Sequence, residues 1–142
     1  MELYKNPCIY SSFIFWINVF VGIYYQEYIY ASLFVVLFIT SILFHYSNNS
    51  NSDSNYFILD LFIVFSIFIY GGYRFVTKMR ENKINIIMTI FIVVTFFITL
   101  YLFFYGYYTN SYCYDINKQV GNLYHSLLHT IGSLGHILII LL

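Results

Sequence analysis

The chain has 142 residues, of which 61% are hydrophobic, 24% aromatic and only 8% charged, and its mean hydropathy is +0.74. Soluble domains carry about 25% charged and about 45–50% apolar residues, so a water-soluble globular enzyme and a disordered tail are both excluded. Six basic and six acidic side chains give zero net charge, which argues against a nucleic-acid partner.

A membrane-crossing helix needs about 20 mostly apolar residues, and five runs of that kind follow one another. The first, 8–25, has no small-residue cleavage pattern and reads as a retained helix. Gln26 and Glu27 end it, and so short a break allows only a tight helical hairpin into the second run, 28–46. A polar stretch over 47–55 separates this from the third run, 56–73. The basic segment from Arg74 to Lys83 precedes the fourth, 84–105, and the more polar segment 106–121 precedes the last, 122–142. None shows the ~10-residue alternation of a barrel strand. The expected fold is all-α: a polytopic transmembrane helical bundle of about five spans, in one domain over 1–142.

Orientation follows Lys and Arg. Arg74, Lys78, Arg80 and Lys83 are four of the six basic residues and share one loop, which is therefore expected to be cytoplasmic. Alternation then puts the N-terminus, the 47–55 loop and the 106–121 loop on the lumenal or outer side. The sequence Asn48-Asn49-Ser50 in the first of these loops is a glycosylation sequon.

Polar side chains inside apolar runs are costly and are functional candidates by default. Ser41 and His45 lie at the end of the second run, Asp60 near the start of the third, and His125, His129 and His136 in the fifth. By the expected topology His45, Asp60, His125 and His129 share one leaflet. His125 and His129 are four residues apart, so they stack on one helix face with Cβ atoms about 5–6 Å apart and can converge on one metal ion. Ser41 precedes His45 by the same offset. A third imidazole from a neighbouring helix would complete a three-nitrogen site of the catalytic zinc type, and Asp60 is the only carboxylate at hand to act on a bound water. His136 is about 20° off in rotation from His125 but about 10 Å deeper than His129, too far for the same ion; it reads as a satisfied pore-facing or helix-packing residue. Interhelical hydrogen bonding without any metal is the competing reading for each histidine.

These residues carry a resemblance. Ser41-Ile-Leu-Phe-His45, Asp60 and His125-Ser-Leu-Leu-His129 on three helices resemble the pattern of the alkaline ceramidase superfamily, which also includes the adiponectin and progestin receptors. The segment from Tyr124 to Gly135 is similar to the last-helix signature of the ceramidases, which has Trp where Leu128 stands, and the opening Cys8 to Asn18 is similar more loosely. The resemblance implies a Zn2+ ion held by His45, His125 and His129, attack of zinc-bound water on a ceramide-like membrane lipid amide, Asp60 orienting or deprotonating that water, and Ser41 steadying the oxyanion. It also implies a disulfide between Cys8 and Cys113, both on the expected lumenal side. The membrane expected is that of the endoplasmic reticulum or Golgi, with a plasma or viral membrane as the alternative. The family has seven helices, so five remove walls of the substrate cavity, which a homodimer would supply. Acidic calcium ligands are not evident after Cys8, and no calcium site is expected. Two other readings remain: an inactive, receptor-like binding protein, and a b-type haem protein with His45 opposite His129 or His136 as axial ligands.

Overall fold

A computed structural model describes residues 6–47, 55–81 and 85–142. Among these there is no strand. The helices are α1 (Pro7–Ser12), α2 (Phe15–Tyr24), α3 (Tyr28–Tyr46), α4 (Asn55–Glu81), α5 (Ile86–Leu100), α6 (Gly106–Thr109) and α7 (Lys118–Leu141). Taken with the short joins between α1 and α2 and between α5 and α6, they form five stretches long and apolar enough to cross a membrane. The chain is thus an all-α, multi-pass membrane protein. The sequon at 48–50 and Lys83 lie outside the described residues.

Several boundaries differ from the apolar runs, each for a local reason. The first run is two helices, with a break at Phe13 and Ile14. There Ser11 and Ser12 both turn their hydroxyls back onto the Cys8 carbonyl, at 3.1 and 2.8 Å, which competes with the helix ladder. The third run extends to Glu81, because nothing after Tyr73 breaks a helix and Arg74 and Lys78 have partners inside the bundle. The last helix begins at Lys118, where Asn117 caps it by accepting from the Gln119 amide at 3.0 Å.

The tight hairpin between α2 and α3 has the expected form. Gln26 adopts φ 60°, its amide donates to Ile23 O at 3.1 Å, and the Glu27 amide donates to Gly22 O at 2.7 Å. This paired reverse bonding is a Schellman ending. It leaves Glu27 aimed at α4, where Arg74 pairs with it and the Lys78 ammonium stands 3.7 Å away. Lys78 also donates to the Ile140 carbonyl near the end of α7, satisfying a carbonyl of the last turn.

α7 packs against α1, α2, α4 and α5. Its side chains find a different partner at each level. Ser133 and Asn18 of α2, both buried, bond reciprocally, with Asn18 Nδ2 donating to the Ser133 carbonyl at 3.0 Å. His136 Nδ1 lies 3.1 Å from the Tyr30 hydroxyl of α3. Asp60, Ile67 and Gly71 form one buried stripe on α4. Gly71 is required there, since a Cβ would lie 2.5 Å from His136 Cε1 and 3.0 Å from the Tyr30 hydroxyl. The apolar core runs through Phe15, Val19, Phe34, Leu37, Ile67, Ile92 and Ile139.

The disulfide implied for Cys8 and Cys113 is not formed: both are free thiols. The Cys8 thiol is turned instead to α7, donating to Asn122 O at 3.2 Å, and so serves as a bond between α1 and α7.

Two outcomes follow from this packing. Gly71→Ala should lower stability by about 1–3 kcal/mol, the usual cost of overpacking, measured by unfolding in mixed micelles. Burial pushes the Cys113 thiol up to about 12, so little thiolate exists at neutral pH. Protein denatured without reductant should titrate as two thiols per chain, whereas in the folded state Cys113 should alkylate slowly at neutral pH and faster as pH rises.

Candidate metal centre

The site is built by three helices. His45 stands in the last turn of α3, because that helix runs unbroken from the Schellman hairpin to Tyr46. His125 and His129 stand one turn apart on α7. Of the three rings, His125 meets His45 and His129 edge to face, and His45 and His129 are tilted to each other. Their centroids are 4.9 Å apart for His45 and His125, 5.4 Å for His45 and His129, and 4.9 Å for His125 and His129, with interplanar angles of 84°, 60° and 88°. One nitrogen from each lies within 4.8 Å of the other two.

The atoms themselves test whether a cation fits. The Nε2 atom of His45 is buried and has no hydrogen-bond partner. A buried polar atom without a partner costs free energy, about 1–3 kcal/mol on mutational scales. Three imidazoles with no carboxylate among them form a neutral nitrogen donor set, the kind that suits zinc. Nitrogens on a tetrahedral zinc lie roughly 3.3 Å apart, so the three rings would have to draw closer together to hold one.

Around this group the other expected residues take distinct places. Asp60, buried on α4, accepts a 2.8 Å bond from the Thr40 hydroxyl. Thr40 is five residues before His45, about 7.5 Å along α3, and Asp60 is not a member of the three-histidine group. Ser41 lies 2.8 Å from the Ser12 hydroxyl. Because Ser12 donates to Cys8 O, Ser41 is the donor in that pair, which ties α3 to α1. His136 is separate from the cluster, edge-on to Tyr30 and Phe34, as a packing histidine would be.

Ser11 of α1 was legible only as a small polar residue in an apolar run, yet its hydroxyl lies 2.8 Å from His129 Nδ1. Phe15 covers the same ring at 5.1 Å. Ser11 also lines a crevice of about 430 Å3 with Pro7, Leu123, Tyr124, Leu127 and Thr130, between α1 and α7. Leu123 and Leu127 are exposed, so the crevice faces outward from the bundle.

Comparison of the chain with known families, with curated proteins and with solved structures finds no match.

Proposed function

We propose that the chain is an intramembrane zinc-dependent hydrolase of a lipid amide, ceramidase-like in its chemistry. The observation that carries this reading is the convergence of His45, His125 and His129 with the His45 Nε2 atom left unpaired. Zinc, when bound, polarises a carbonyl and makes water a nucleophile near neutral pH. The residues would divide the rest of the work. His45, His125 and His129 hold the ion. Asp60, bonded to Thr40 outside the three-histidine group, would be the carboxylate to take a proton from water and return it to the leaving amine. Ser41 can serve the oxyanion only by giving up its bond to Ser12.

A lipid substrate is supported by where the site lies. The crevice between α1 and α7 is bounded by apolar and hydroxyl side chains, and it runs to Ser11, which touches a metal-site ring. An amide on an acyl chain can approach from the bilayer without crossing water. Haem is the weaker reading, since His125 stands in edge contact with both His45 and His129, where a porphyrin between two axial rings would lie.

Purified protein in lipid nanodiscs should contain about one zinc per chain, and His125→Ala together with His129→Ala should remove it. Fatty acid release from N-acylsphingosine should fall with the metal. Asp60→Asn should keep the zinc and lower turnover by about 10²-fold or more. Zinc far below stoichiometry in the unaltered protein, or zinc content insensitive to the histidine substitutions, would overturn the proposal.

A further inference from the structure

We propose that Ser11 is a positioning residue that sets the tautomer of His129, holding its proton on Nδ1 and leaving Nε2 as the nitrogen offered to a cation. The argument is a count of hydrogens. A serine hydroxyl has one proton to give and two lone pairs to accept with. The Ser11 hydroxyl donates to the Cys8 carbonyl at 3.1 Å, and that spends its proton. It meets His129 Nδ1 at 2.8 Å, and while its proton stays on the Cys8 carbonyl it takes part there as acceptor. Nδ1 then carries the hydrogen, and in a neutral imidazole Nε2 is the free lone pair.

The backbone explains why Ser11 can do this. α1 ends at Ser12, and the break at Phe13 separates it from α2. The short helix is held against α7 at its other end by the Cys8 thiol on Asn122 O. Ser11 is thus fastened through its own acceptor, Cys8 O, to a residue that is itself bonded to α7. The metal-site role of this arrangement rests on the proposed cation centre, but the tautomer assignment does not.

Solid-state NMR on histidine-labelled (¹⁵N) protein in bilayers, stripped of metal by chelation, reads the two imidazole nitrogens separately, and the His129 signals are identified by their loss in His129→Asn. The expected result is a His129 ring protonated on Nδ1 alone, a mixture or reversal in Ser11→Ala, and the native pattern in Ser11→Thr, which keeps the hydroxyl. Zinc affinity should fall about 10- to 100-fold in Ser11→Ala, the usual cost of removing an outer-shell partner, and recover in Ser11→Thr. A ring protonated on Nε2 in the unaltered protein, or a tautomer unchanged by Ser11→Ala, overturns the proposal. An Nδ1-protonated ring in a protein that takes up no zinc overturns the metal reading instead and leaves the role of Ser11 standing.

Discussion

A polar group within a bilayer has no water to turn to, and α7 carries such groups from the His125 side chain to the Ile140 carbonyl fifteen residues further on, about 22 Å of helix. That is most of the ~30 Å hydrocarbon thickness. Each level meets a different helix: His129 meets Ser11 of α1, Ser133 meets Asn18 of α2, His136 meets Tyr30 of α3, and the Ile140 carbonyl meets Lys78 of α4. Lipid tails are as apolar as leucine, so burial of apolar surface does not tell one helix from another in a membrane. Directional bonds do. The order of helices around α7 is written in the polar residues of a single face.

α5 takes the remaining side by another device. It brings Thr95 so close to α7 that a Cβ on Gly135 would lie 2.7 Å from the Thr95 hydroxyl oxygen. Small residues let membrane helices approach in this way. The consequence is that the buried face of α7 is held at several levels, which fixes its histidines in rotation, while Leu123, Leu127 and Leu134 stay exposed. Along its polar face His129, Ser133 and His136 each meet a partner, whereas His45 Nε2, at the level of the cluster, has none among the described residues. That unpaired atom beside two further imidazoles makes the three a candidate for an ion.

Much of this was legible as sequence. Run length and composition were enough for five spans, and the four-residue spacing of His125 and His129, with His45 at a matching depth, was enough to place the three rings together. What could not be read depends on rotation about helix axes. Whether Asp60 faces the histidines or Thr40 is decided by how α4 turns on α3, and Gly71 against His136 sets that turn. The ends of α4 were obscured because the apolar run stops at Tyr73 while helix propensity and the Glu27 pairing do not. Ser11 was hidden by a break in the first run that no proline or glycine announces. The Cys8–Cys113 bridge came only from resemblance, and the thiol that was to form it is occupied by a main-chain carbonyl.

The two ends of the bundle are built for different tasks. At one end Glu27 gathers Arg74 and Lys78, and Lys78 holds the last turn of α7, so the hairpin, α4 and α7 are clamped together. At the other end lie the break in α1, the wide helical turn at Tyr101–Tyr105 and the crevice lined by Ser11. The three imidazoles come from α3 and α7, and Ser11 of α1 meets one of them. The cluster takes no ring from α2, α4 or α5. The clamp at the far end keeps α7 in register, and that register lets a chain of this size hold three rings at one point.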